Sequence, residues 1–157
     1  MSAKESFFVV INPCFTSVGY SVWRNAELFK HGIFKAAKSN DENVILESYF
    51  NDINGLFKDY PPTLVVYKDI PKSLSSKSYL LLQGMIMALC VQNKIYVKLI
   101  STVEWIKNLG YKGRKDEGQK IAIKYVKEQY AENLKGVEAE AVCIGSCCIE
   151  SIKHKMN

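Results

Sequence analysis

The sequence predicts an α/β protein built on a five-stranded mixed sheet. An antiparallel three-strand meander is extended by two parallel strands, and helices flank the sheet. Three observations carry this reading. Three apolar runs follow one another within the first 35 residues, the last two separated only by "RNAE". Two more apolar runs come later, each after a segment of helical periodicity, which is the pattern of parallel strands joined by crossovers. Apolar residues make up 48% of the chain, enough for a packed core.

The elements follow in order. "FFVVIN", residues 7–12, reads as a buried strand, and residues 18–24 and 28–35 read as the rest of the meander. Residues 41–59 read as a helix: Asn40 or Asp41 can cap it, and Ile45, Tyr49, Ile53, Leu56 and Phe57 fall on one face. "YPP" stops it, because proline cannot continue a helix. "TLVVYK", residues 63–68, is almost continuously apolar, as a central parallel strand should be. After the polar "DIPKSLSSKS", residues 77–92 form a helix that is apolar nearly all round. Such a helix is either covered on both sides or meets a partner, and a homodimer contact is one expectation. "IYVKL", 95–99, is a short strand. "STVEWIKNLG", 101–110, opens with the capping-box spacing of Ser101 and Glu104 and closes on a glycine. A basic loop, "YKGRKDEGQ", leads to helices over 117–130 and about 137–154.

With 157 residues, no linker and no repeat, one domain spanning 1–157 is expected. Lys and Arg outnumber Asp and Glu by 21 to 16, a net +5 that suits nucleic acid without requiring it. The first residues are polar, and the longest apolar stretch, "YLLLQGMIMALCV", has 13 residues where a spanning helix needs about 20. No membrane association and a cytoplasmic or otherwise intracellular location are expected. The two histidines, His31 and His154, offer little for histidine-based catalysis. The five cysteines, Cys14, Cys90, Cys143, Cys147 and Cys148, contain no C-x-x-C pair and read as buried, reduced hydrophobes. No P-loop, dinucleotide fingerprint or G-x-S-x-G elbow occurs.

Five segments carry a family resemblance. "INPCFTSVGYSVW" resembles the first-strand motif of the RuvC family of Holliday-junction resolvases, I-D-P followed by G-Y-x-V. "PPTLVVYKD" is similar to that family's fourth strand, which ends in Glu. "LLLQGMIMAL", "YKGRKDEGQKIAIKYV" and "GVEAEAVCIGSC" resemble its later motifs, and all five stand in family order between residues 7 and 149. The resemblance implies an RNase H-like fold. It also implies phosphodiester hydrolysis by two magnesium ions, about 4 Å apart, held by carboxylates.

The acids that this chemistry needs are mostly missing. By the resemblance, the first-strand Asp falls on Asn12, the fourth-strand Glu on Lys68, and the two acids of the last helix on Val137 and Glu140. One carboxylate remains of the four. Asn12 keeps an oxygen without charge, Val137 keeps neither, and Lys68 brings an ammonium to the place of a cation. The expectation is a degenerate centre with no metal, in which Lys68 replaces the ions and pairs with Glu140, with Asn12 hydrogen-bonded beside them. Asp69 should point to the opposite sheet face, and Glu138 lies about 200° from Glu140 around the helix.

The basic loop is the candidate DNA contact. Lys112, Arg114 and Lys115 surround Gly113, Lys120 and Lys124 follow, and Thr16 and Ser17 add hydroxyls on the first turn. Ile70 stands where the family carries a wedge for the junction. The leading expectation is therefore a RuvC-like protein that binds DNA, branched DNA included, without cleaving it, as a homodimer through helix 77–92. One alternative is a structural or protein-interaction role on the same scaffold. Another is an active, magnesium-dependent junction endonuclease with rearranged ligands.

Overall fold

A computed structural model describes residues 5–14, 16–69, 76–114 and 117–156, with side chains as far as residue 151. Lys115, Asp116, Ile70 and the His154 side chain lie outside the described residues. The strands are β1 (Phe7–Pro13), β2 (Ser17–Arg24), β3 (Glu27–Lys35), β4 (Pro62–Lys68) and β5 (Tyr96–Ile100). The helices are α1 (Glu42–Asp59), α2 (Lys77–Gln92), α3 (Thr102–Asn108), α4 (Gly118–Tyr130) and α5 (Gly136–Met156). Every element expected from the sequence is present, with ends that move by one or two residues.

The sheet runs β3-β2-β1-β4-β5. β1 pairs antiparallel with β2, and β2 with β3, while β1–β4 and β4–β5 are parallel. The "RNAE" turn closes the β2–β3 hairpin with Asn25 and Ala26 both at positive φ, 50° and 68°. That is the two-residue turn whose twist matches paired strands. Asp41 caps α1 by accepting from the Asn43 amide, Ser76 caps α2, and Ser101 caps α3 by accepting from the Glu104 amide.

Alternation along the strands builds two cores. Ile11, Tyr20, Val22 and Tyr67 face α1 and α2. Val10, Trp23 and Val66 face the other way, against α3, α4 and α5. Helix α5 lies hard on the sheet. A side chain on Gly19 of β2 would overlap the Val137 carbonyl, and one on Gly145 of α5 would overlap the Trp23 indole. The Ser21 hydroxyl donates to the Ala141 carbonyl at 2.8 Å and accepts from Trp23 Nε1 at 2.9 Å, so it fixes where the helix crosses. All five cysteines are free, and four of them are buried.

Candidate functional site

The C-terminal ends of β1 and β4 carry Asn12 and Lys68. The register that pairs Ile11 with Tyr67 brings the next residues of the two strands side by side. Both side chains point toward α5, because they alternate with Ile11 and Tyr67, which face α1 and α2. On α5, Glu140 shares its inward stripe with Ala141 and Ile144, and all three are buried. The strand ends and the first turns of α5 thus deliver one cation, one amide and one anion to a single point.

Lys68 Nζ lies 2.6 Å from Glu140 Oε1, with Glu140 1% exposed and Lys68 16%. At an effective dielectric near 20 the attraction at that distance is about 6 kcal/mol, set against the cost of stripping water from both charges. The Asn12 amide nitrogen donates to the Val137 carbonyl at 3.0 Å and reaches Glu140 Oε2 at 3.3 Å. Two acceptors on one side require that the nitrogen, and not the oxygen, of Asn12 faces them. A third positive pole comes from the start of α4. A side chain on Gly118, its first residue, would stand 3.6 Å from Glu140 Oε1, so the helix N-terminus borders the carboxylate.

These donors do not fit a divalent ion. An ion at Glu140 about 4 Å from the Lys68 ammonium would be repelled by about 8 kcal/mol at the same dielectric. Asn12 turns its NH₂ inward, and Val137 offers a carbonyl already engaged by that amide. Other acids do not make up the set. Asp69 lies near Tyr67 and Tyr79, where its charge helps hold both hydroxyls protonated, on the α1–α2 side of the sheet. Glu138 turns to β3, where His31 Nδ1 meets Glu138 Oε2 and His31 Nε2 lies 3.7 Å from Glu132. Among the described residues no group of three or more His, Cys, Asp or Glu could hold a metal ion.

The basic residues flank Gly118 in sequence, on the loop before it and on α4 after it. Lys112, Arg114, Lys120 and Lys124 are exposed, and Lys127 continues the last two along one face of α4. Arg114 is not a free cation: its Nε is 3.7 Å from Glu117 Oε1, and its amide donates to the same oxygen at 3.3 Å. Glu117, at the N-cap position of α4, makes no side-chain cap hydrogen bond, and its carboxylate closes the loop instead. Thr16 is exposed at the β1–β2 turn, and Ser17, half-buried, begins β2. Sequence reasoning missed the His31–Glu138 contact, whose partners stand 107 residues apart with no local signal. It also missed Gly118, whose missing side chain lets the start of α4 pack on Thr102 of α3, next to Glu140.

The sequence matches no protein-family model and no curated protein. Solved structures do match. Thermus thermophilus RuvC in complex with a Holliday junction superposes with a TM-score of 0.73 at 11% identity, covering 95% of this chain and 96% of that one. The yeast mitochondrial Holliday junction resolvase Ydc2 gives 0.61 at 12%, over 95% of this chain and 81% of that one. The fowlpox virus resolvase bound to junction DNA gives 0.61 at 13%, over 93% and 98%. At such identities the likeness is one of architecture, and the chain has a RuvC-like fold of the RNase H type.

Proposed function

We propose that this protein binds DNA, branched DNA included, without cleaving it. One observation carries the reading: the Lys68–Glu140 ion pair, closed by Asn12, stands where the RuvC resemblance puts the metal-binding acids. A centre whose charges cancel internally has no need of ions and no means to activate water. The binding half of the reading is supported by the exposed Lys112, Arg114, Lys120 and Lys124 and by the net charge of +5. Lys115 joins the same loop in sequence, and Thr16 and Ser17 would add hydroxyl contacts to phosphates. The RuvC and fowlpox proteins of this fold were solved with junction DNA.

A homodimer through α2 belongs to the proposal. Leu80, Leu81 and Val91 are exposed on that helix, and the small Gly84 and Ala88 lie open between them. Small residues between leucines let two helices approach closely while large ones interlock. The same surface favours a second reading, a protein-interaction role, because the adjoining edge strand β5 also exposes Tyr96 and Leu99.

The test is equilibrium binding of the purified protein to four-way junction, duplex and single strand at several salt concentrations. If Lys112, Arg114, Lys120 and Lys124 each touch a phosphate, log K falls with log salt at a slope of about −3.6 per protomer. Salt-independent or undetectable binding refutes the DNA reading and leaves the protein-interaction one. Nicking of junctions with magnesium or manganese refutes the absence of cleavage and restores the endonuclease alternative.

A further inference from the structure

One edge of the sheet carries an aromatic ring that the core leaves outside. β5 is the last strand, and among the described residues it pairs only with β4. Tyr96, its first residue, is 76% exposed. Register sets that ring at the end of a row. Leu64 stands opposite Tyr96, Phe8 opposite Leu64, and Trp23 opposite Phe8. Phe8 and Leu64 are half-buried and pack on the core beneath α3, α4 and α5. The Phe8 and Trp23 rings are parallel, with centroids 5.6 Å apart. Tyr96 shares this sheet face, because the next residue, Val97, packs on the α1–α2 side.

The charge around the ring has one sign. Residues 70–103 contain four lysines and no Asp or Glu, and Glu104 on α3 is the next acid along the chain. Lys94 and Lys98 bracket Tyr96, and both are exposed. Neither makes an ion pair among the described residues. Lys98 stands opposite Val66, so it lies on the same sheet face as Tyr96.

An exposed aromatic plane between lysines suits single-stranded nucleic acid. Unpaired bases stack on such rings at about 1–3 kcal/mol each, and the cations take the flanking phosphates. A duplex keeps its base faces stacked within itself and gains nothing from the ring. A second copy of the chain pairing along this edge would bring like charges together, as lysine on an edge strand generally does.

We infer that β5 is a contact for single-stranded DNA, with a base stacked on Tyr96 and the neighbouring phosphates on Lys94 and Lys98. This rests on the DNA reading and adds to it a site on different elements from the basic loop and α4.

The test is fluorescence anisotropy with the full chain and three probes: an oligothymidylate of about 15 nucleotides, an abasic oligomer of the same length, and a duplex. Tyr96→Ala should weaken the oligothymidylate about 5- to 150-fold, the loss of one stacked base. Duplex binding and the thermal midpoint should not change. Tyr96→Phe keeps the ring and should bind as the unaltered protein does. The abasic oligomer keeps the phosphates alone, and the unaltered protein should bind it as weakly as Tyr96→Ala binds the oligothymidylate. Lys94→Ala/Lys98→Ala should lower the single-strand salt slope by about 1.4. Full oligothymidylate binding by Tyr96→Ala, equal binding of the abasic oligomer, or an unmoved slope would overturn the inference. So would competition by polyglutamate as strong as by oligothymidylate, which would assign the patch to an acidic protein. Duplex binding that persists through any of these results leaves the DNA reading standing, whereas an unaltered protein that binds none of the nucleic acids sinks both.

Discussion

Helix α5 carries two carboxylates, two residues apart, that live in different surroundings. Glu140 points into the sheet at 1% exposure and takes the Lys68 ammonium. Glu138 points to β3 at 17% exposure and takes His31. Around Glu140 stand the lysine, the donating Asn12 amide and the start of α4. Glu138 shares its partner His31 with Glu132, itself 48% exposed. The difference teaches that burial, more than proximity, sets the worth of each pair. A charge that cannot reach water depends wholly on its partner, and one near the surface can trade its partner for water.

The largest expected effect comes from breaking the buried pair on one side only. Lys68→Met leaves Glu140 charged and alone, which should cost about 3–5 kcal/mol in urea unfolding at neutral pH. The double variant Lys68→Met/Glu140→Leu removes both charges and should recover most of that loss. The comparison breaks if the single variant costs no more than the double, because Glu140 would then have no need of its lysine.

Next in size is Asn12→Asp. The carboxylate would face the Val137 carbonyl and Glu140 Oε2, both acceptors, in place of an amide that donates to them. A loss of about 1–3 kcal/mol is expected. Magnesium should not restore it, because Lys68 still fills the centre. A rise in thermal midpoint on adding magnesium to this single variant would mean that Asn12 alone had closed the metal site.

The asymmetry between the two carboxylates also marks what the sequence could reveal. The strands were legible because apolar runs and turn residues are local signals, and so was the inward stripe of α5. Lys68 facing Glu140 was legible only through motif order, which put both residues at one point of a shared architecture before any contact was visible. Glu138 and His31 had no such guide. Their meeting depends on how far α5 overhangs β3, and that is set by the close approach at Gly19 and Gly145, not by any residue near either partner. The apolar surround of α2 was plain in the sequence. Which side stays open was not, because it follows from the tilt of the helix over the sheet.

A smaller effect is expected at the second carboxylate. His31→Gln keeps a donor for Glu138 and removes the imidazole, and Glu138 can take up water. The cost should be about 0.5–1 kcal/mol at neutral pH, and it should shrink further in high salt, where exposed charges are screened. The Lys68→Met loss should hold at the same salt, since the buried pair is screened far less. Equal salt responses would erase the distinction drawn between the two sites.

The smallest effect on stability, and the clearest on binding, belongs to charges with no partner among the described residues. Lys120 and Lys124 are exposed on one face of α4. Lys120→Ala/Lys124→Ala should leave the thermal midpoint unchanged, because neither side chain supports the fold. If both contact phosphates, the variant should bind junction, duplex and single strand more weakly by a similar factor, and the salt slope should fall by about 1.8. A slope that does not move would assign these lysines to solvent and shift the DNA contact to Lys112 and Arg114. A loss confined to the junction would instead make them readers of branch geometry. At this exposed limit a charge serves only what comes to it from outside, which is the complement of Glu140, whose charge is spent within the fold.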